Sequence, residues 1–178
     1  MIYNFNNAAG VFEYLEYQPE FKGRAYLFDG AKVIGNVTLG EDVSVWFNSV
    51  IRGDVHYIRI GDRVNIQDLS MLHVTNDKFP LNVGDDVTVG HNVTLHGCTV
   101  ENGALIGIGA KVLDGSKVGE NSLVAAGAVV REGFSVPPET LVAGVPAKVM
   151  RALTDEEIDK ISSSAGSYVN YAKSYFNL

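Results

Sequence analysis

The chain has 178 residues, 46% of them hydrophobic, with a net charge of −7 and a pI near 5.0. That is enough for one domain with its own core, and the negative charge argues against nucleic acid or an anionic membrane surface as a partner. Cys98 is the single cysteine, which excludes an intrachain disulfide, and neither a signal peptide nor a long apolar run is recognisable. We therefore expect a soluble, cytoplasmic protein.

An aliphatic residue returns every six positions from Val33 to Val130, with three interruptions. The interruptions are an excess of three residues after Ile51, an insertion of five after Leu72 and the loss of one after Leu95. A period of six with β-branched residues does not fit the 3.6-residue period of a helix, and it predicts short strands joined by tight bends. The repeated residues are Val33, Leu39, Val45, Ile51, Ile60, Ile66, Leu72, Val83, Val89, Leu95, Val100, Ile106, Val112, Val118, Val124 and Val130.

Each six-residue unit buries one aliphatic residue and cannot form a core alone, whereas stacked coils can. The pattern resembles the hexapeptide-repeat proteins over roughly residues 10–150. In that family three units complete one coil of a triangular prism. The resemblance implies an all-β fold, a left-handed parallel β-helix, whose handedness comes from the family. We expect residues 1–150 to form this domain.

The end of the chain carries the signals of a helix. Thr154 and Glu157 have the spacing of a capping box at a helix start. Apolar residues then follow three or four positions apart, at Ile158, Ile161, Ala165, Val169, Ala172 and Phe176. We expect residues 151–178 to form a C-terminal α-helix that packs on the solenoid or on a neighbouring chain.

Three of the four histidines lie within 24 residues. His73 and His96 each follow a repeated aliphatic residue, three units apart once the insertion is left out, so their rings should stack on one wall with the ~4.8 Å spacing of adjacent strands. His91 holds the third place of its unit, one wall away, and would reach the same ion only from a neighbouring subunit. We predict a cyclic homotrimer with a metal site at each interface.

Three imidazoles with an open position for water are the ligand set of catalytic zinc sites. A closed structural site would need a fourth protein ligand, for which Cys98 is the candidate. We expect Zn²⁺, although Fe²⁺ and Co²⁺ also accept imidazole ligands. The fourth histidine, His56, has a simpler interpretation as a surface or hydrogen-bonded residue.

Short motifs around these histidines resemble the γ-class carbonic anhydrases in order and spacing. They are Arg52-Gly53-Asp54, Asn65-Ile66-Gln67-Asp68, His73, Gly90-His91 and Leu95-His96-Gly97-Cys98. Generic hexapeptide acyltransferases share the repeat but lack this string. The resemblance implies reversible hydration of carbon dioxide to bicarbonate by a metal-bound hydroxide at the trimer interfaces. A cation held by three imidazoles lowers the pKa of bound water to about 7, for which carbonic anhydrases are the reference case.

The resemblance also implies residue roles. His73, His91 and His96 would be the metal ligands, and the catalytic candidates are Gln67, Asp68, Tyr168 and Asn170. Gln67 would lie beside the bound water, and Tyr168 and Asn170 resemble an active-site Tyr and Asn of the family. Arg52, Asp54 and Asp68 would form ion pairs across the subunit interface, which we interpret as structural.

The chain departs from well-studied members of the family in the residues that carry protons away. Those members have a glutamate directly after the position of Asp54 and an acidic loop after the first histidine. Here Val55 follows Asp54, and Asp77 is the one acidic residue of the loop 74–82. The chain thus resembles the shorter subclass that lacks the acidic loop, and His56 or Asp68 would have to carry the proton.

Three other functions stay open. A hexapeptide-repeat acyltransferase would share the repeat and the Gly144–Lys148 exit, use one interface histidine as a base and need no metal. A metal-dependent CoA thioesterase would keep all three histidines and differ in the shape of its pocket. A non-catalytic assembly factor is the third alternative. A small-molecule substrate is expected for each enzyme, with no nucleic acid or membrane partner.

Overall fold

Short parallel strands stack into three walls that enclose the aliphatic residues of the repeat. The computed structural model describes residues 1–7 and 9–178. In chain order the strands are β1 (Ile2–Asn4), β2 (Gly10–Phe12), β3 (Glu20–Phe21), β4 (Ala25–Leu27), β5 (Lys32–Leu39), β6 (Val43–Val45), β7 (Val50–Ile60), β8 (Asn65–Ile66), β9 (Met71–His73), β10 (Leu81–Val83), β11 (Thr88–Val89), β12 (Thr94–His96), β13 (Thr99–Val100), β14 (Leu105–Ile106), β15 (Lys111–Val112), β16 (Lys117–Val118), β17 (Leu123–Val124), β18 (Val129–Val130), β19 (Ser135–Val136), β20 (Thr140–Ala143) and β21 (Lys148–Ala152).

The first wall is one sheet in the order β1-β4-β6-β8-β11-β14-β17-β20-β21. The second wall contains β2, the first part of β5, the first part of β7, β9, β12, β15 and β18. The third contains β3, the ends of β5 and β7, β10, β13, β16 and β19. Because β5 and β7 run through the corner between them, the second and third walls form a continuous sheet. This architecture confirms the predicted parallel β-helix with one C-terminal helix.

The repeated aliphatic residues form one vertical column on each wall. On the first wall the column is Leu27, Val45, Ile66, Val89, Ile106, Val124 and Val142. The second and third walls have corresponding columns through Leu72 and Leu95 and through Val83 and Val100. All sixteen residues predicted from the repeat are buried. Burying each such side chain stabilises the fold by roughly 1.5–3 kcal/mol.

Two of the three interruptions project from the corner between the second and third walls. β5 and β7 pair at Gly35 and Gly53, and their pairing resumes at Val37 and Ile58, so residues 54–57 bulge outward opposite one residue. A Cβ on Gly35 would lie 2.6 Å from the carbonyl oxygen of Gly53, so the close approach of the two strands requires glycine there. The five-residue insertion forms the adjacent loop, closed by a bridge between Thr75 and Phe79.

The corner between the first and second walls is tighter, and one residue per coil adopts a left-handed backbone. These residues are Gly30, Asn48, Leu69, Asn92, Gly109 and Gly127, with φ values of 75°, 58°, 62°, 55°, 69° and 68°. Asn and Gly tolerate this conformation, whereas a branched apolar residue is strained in it. Leu69 is therefore the exception in its column, and its side chain is 62% exposed.

The C-terminal helix, α1 (Asp155–Tyr175), has the predicted capping box between Thr154 and Glu157. Its buried face is Ile161, Ala165, Val169 and Ala172, which turns toward the first wall at β6, β8 and β11. At its end Phe176 joins an aromatic cluster with Phe28 and Phe5. Among the residues described, no helix combines the length and apolarity that crossing a membrane requires.

Candidate metal centre

Two histidines of the second wall face each other on neighbouring coils. β9 and β12 pair in parallel with His73 opposite His96, the register that the repeat predicts. His73 Nδ1 lies 3.1 Å from His96 Nε2, and the ring centroids are 5.1 Å apart.

Each ring turns its other nitrogen to an aspartate. His73 Nε2 lies 3.0 Å from Asp54 Oδ1, and His96 Nδ1 lies 2.6 Å from Asp114 Oδ1. Because an ionised carboxylate only accepts hydrogen bonds, the ring nitrogen that faces it carries the proton and donates. The two nitrogens that face each other are therefore left with lone pairs.

The surroundings of His73 favour the neutral form of its ring. Burial lowers the pKa of His73, and the nearby Arg52 cation lowers it further, against the opposite effect of Asp54. Burial acts to raise the pKa of Asp54, but hydrogen bonds from His73 and Arg52 outweigh it, and the pKa lies below its usual value. Two lone pairs this close repel each other unless a cation lies between them, so the pair is suited to a cation.

The spacing also fits a metal ion. With bonds of about 2.05 Å, two ligand nitrogens of a tetrahedral zinc ion lie about 3.3 Å apart, close to the separation of His73 Nδ1 and His96 Nε2. A carboxylate on the far nitrogen of each ring is the usual support of a metal-binding histidine. Over residues 1–7 and 9–178 of a single chain, however, no group of three or more His, Cys, Asp or Glu side chains could hold a metal. One subunit offers two ligands.

His91 lies in the turn after β11, at the corner between the first and second walls. Its Nδ1 is 2.7 Å from Asp68 Oδ2, one coil above, and its side chain is 45% exposed. As in the other two rings, a carboxylate takes one nitrogen, which leaves Nε2 with a lone pair. The ring is thus available at the surface.

Cys98, the alternative fourth ligand, is 1% exposed in the core. Burial raises the pKa of its thiol to about 12. Since a metal binds the thiolate and not the thiol, this side chain is poorly suited to complete a closed site.

Gln67 is buried within a chain of polar side chains on the outer face of the first wall. Its Nε2 donates to Asn65 Oδ1 (3.0 Å), Asn65 Nδ2 donates to Thr88 Oγ1 (2.9 Å), and Thr88 Oγ1 donates to Ser164 Oγ of the helix (3.1 Å). This chain holds the amide of Gln67 in one orientation, and it ties the orientation to the helix.

Tyr168 connects the same region to a pocket beside His91. The pocket, of about 440 Å³, is lined by Trp46, Phe47, Asp68, His91, Tyr168, Tyr171, Ser174 and Tyr175. Burial raises the pKa of Tyr168, as does the charge of Asp68, while a hydrogen bond with Gln67 lowers it. Of the four catalytic candidates, Gln67, Asp68 and Tyr168 thus lie together, whereas Asn170 is exposed on α1.

The predicted ion-pair residues are paired within the chain. Arg52 forms an ion pair with Asp54, which also contacts His73, and Asp68 contacts His91. The two carboxylates therefore orient imidazoles, a role that the sequence did not assign to them.

Asp114 is the site residue that the sequence analysis missed. One of its oxygens accepts from His96 and the other accepts from Thr75 Oγ1 (2.6 Å). The repeat contained the signal, since Asp114 follows Val112 by two places and Val112 lies below Leu95. One coil down from His96 the repeat places Leu113, so Asp114, the next residue in the turn, could have been expected close to the ring.

Comparisons with known proteins agree with this fold and these motifs. Residues 97–132 match a family model described as bacterial transferase hexapeptide (six repeats). The chain is 42% identical over 165 residues to the carbonic anhydrase of Geobacillus kaustophilus, covering 93% of this chain and 90% of that protein. It is 44% identical over 153 residues to gamma carbonic anhydrase 2, mitochondrial, of Arabidopsis thaliana, covering 83% of this chain and 55% of that longer protein.

A solved structure extends the comparison to three dimensions. The hexapeptide transferase family protein from Anaplasma phagocytophilum superposes with a TM-score of 0.87 at 36% identity, covering 93% of this chain and 97% of that one. Its name refers to transferases, while the two sequence relatives are carbonic anhydrases. By identity over most of its length, the chain belongs to the γ-class carbonic anhydrase family of hexapeptide-repeat proteins.

Proposed function

We propose that the protein hydrates carbon dioxide reversibly to bicarbonate at metal sites shared between the subunits of a homotrimer. His73 and His96 of one subunit and His91 of the next would hold the ion. The observation that carries the proposal is that all three imidazoles turn one nitrogen to a carboxylate and keep a lone pair on the other. A hexapeptide acyltransferase that uses one histidine as a base does not need three imidazoles that are each oriented by a carboxylate.

A bound divalent cation such as Zn²⁺ supplies hydroxide at neutral pH by lowering the pKa of water, an effect for which carbonic anhydrases are the reference case. Fe²⁺ or Co²⁺ would serve the same ligands. Asp54, Asp68 and Asp114 hold the three rings in position. The amide of Gln67, held by Asn65, can both donate and accept, which suits it to orient a small oxygen nucleophile without binding the cation.

Complementation between two variants can test whether two subunits share each metal site. His73→Ala and His91→Ala each remove a different ligand, so a trimer of either variant alone has no complete site. Mixed trimers contain interfaces where the intact wall of one variant meets His91 of the other, about one interface in four for random assembly. We expect each pure variant to bind little zinc and to lose at least about 100-fold in hydration rate, and the refolded mixture to regain part of both.

Absence of complementation, or full zinc content in pure His91→Ala, would contradict the shared site. Hydration of carbon dioxide and hydrolysis of CoA esters are to be measured on the same zinc-loaded sample. A sample that hydrolyses CoA esters without hydrating carbon dioxide would support the thioesterase alternative, for which the 440 Å³ aromatic pocket beside His91 offers space.

A further inference from the structure

We propose that His56 is the residue that carries the proton out of the active site, through a cavity formed by the interruptions of the repeat. The inference rests on the proposed hydration reaction. Hydration takes a hydroxide from water and releases one proton per turnover, so a proton acceptor must connect the site to solvent.

The cavity lies directly behind a residue that supports the metal site. It has a volume of about 600 Å³ and is lined by Tyr14, Leu15, Glu16, Tyr17, Asn36, Asp54, Val55, His56, Tyr57, Asn76 and Asp77. Asp54 is at once part of this lining and the partner of His73 at 3.0 Å. The cavity therefore extends to the carboxylate that orients His73.

Three departures from the regular coil converge to form the cavity. The bulge at residues 54–57 carries His56, and the inserted loop lies against it, with the Asp77 N–H donating to the Val55 carbonyl at 3.3 Å. The turn between Tyr14 and Tyr17 forms the third side. A regular coil would have brought no side chain to this position, since residues 54–57 have a single counterpart on β5.

His56 is the imidazole in this lining, and imidazole is the side chain that gains and loses a proton near neutral pH. It is half-buried, and its Nδ1 accepts from the Tyr57 backbone N–H at 2.9 Å, which describes the neutral ring. Picking up a proton at Nδ1 breaks this hydrogen bond and frees the ring to turn. The cavity lining also includes the acidic residues Glu16, Asp54 and Asp77, and the guanidinium of Arg59 lies over the ring of Tyr57, which contacts His56.

One proton leaves the site in each turnover. The water that becomes the nucleophile loses its proton, waters in the cavity pass a proton on, and a new N–H bond forms at the His56 ring. That N–H bond then breaks when the proton moves to a buffer base outside. Asp54 keeps its charge throughout and borders the cavity without taking up the proton.

The test separates the hydration step from proton release. In oxygen-18 exchange, interconversion of carbon dioxide and bicarbonate is measured apart from the release of labelled water, which needs the proton. In zinc-loaded His56→Ala we expect unchanged interconversion, release of labelled water slowed at least about tenfold, and recovery when imidazole is added to the medium. Asn76→Ala opens the same cavity without removing a proton carrier, and it should behave as the wild type.

The outcomes distinguish the two proposals. If the wild-type protein exchanges no label between carbon dioxide and water, the proposed function fails and the inference with it. If interconversion is present but His56→Ala releases labelled water as fast as the wild type, the inference alone is overturned.

Discussion

Two parts of the solenoid are built from the same six-residue unit but differ in regularity. We call the part from Ile51 to Val100 the irregular half and the part from Val100 to Val130 the regular half. From Val100 to Val130 the units follow without interruption, and the coils contain two-residue strands and tight turns. Between Ile51 and Val100 the repeat is interrupted three times, and His73, His91 and His96 all lie in this stretch. The regular coils supply an uninterrupted core, while the bulge at residues 54–57 and the inserted loop bring polar side chains outside the walls.

The largest expected effect comes from a core substitution in the regular half, which should lower stability without changing the metal site. Ile106→Ala removes a fully buried side chain from the first-wall column, and we expect a loss of about 2–4 kcal/mol in the free energy of unfolding. Denaturant titration at fixed protein concentration measures it. Ile108→Ala is the matched control, because that side chain is 58% exposed and should change stability little. Zinc content of the folded variant should stay that of the wild type; a loss would show that the two halves are not separate.

Asp114 connects the two halves, since it belongs to the regular half and contacts His96 of the irregular half. Asp114→Asn keeps the shape but removes the charge that fixes the ring, and we expect about 10–100-fold weaker zinc binding. Competition with a chromophoric chelator measures the affinity. Asp85→Asn, a change of the same chemistry at the corner between the first and third walls, is the control. Equal affinities for Asp114→Asn and the wild type would remove this carboxylate from the site.

The smallest expected effect is a change in stability on substitution of Leu69, which lies in the irregular half. Its left-handed φ of 62° is shared by Asn48 and Asn92 in the same column. Leu69→Asn should therefore raise the free energy of unfolding by about 1 kcal/mol, because Asn tolerates this backbone better. Leu69→Ala keeps the strain and removes the side chain, and it should give no such gain. A destabilised Leu69→Asn would mean that the leucine side chain makes a contact worth more than the strain.

The columns of the core could be predicted from the sequence because the period alone sets them. Once Leu72 and Leu95 are assigned to one column, the opposition of His73 and His96 follows without any knowledge of side chains. The outer partners of those rings do not follow so directly. Asp54 reaches His73 from a bulge whose path depends on where the three extra residues leave the wall, and the period does not determine that.

The side-chain orientations around Gln67 were predictable only in part. Gln67 and Asn65 point to the same face because residues two apart in a strand do so, and this much the sequence implied. That Thr88 and Ser164 extend the chain to α1 depends on how the helix lies on the first wall. The start of the helix at Thr154 and its capping box were predictable, but its direction across the wall was not, because the apolar stripe fits several angles.

The last strand, β21, has a consequence for how far the stack can grow. It runs antiparallel to β20 and closes the first wall, and its five residues are exposed with Lys148 and Arg151 among them. An open parallel edge would accept another molecule's first coil and let prisms join end to end into filaments. The reversed direction and the positive charges make this edge of the first wall a poor match for such a joint.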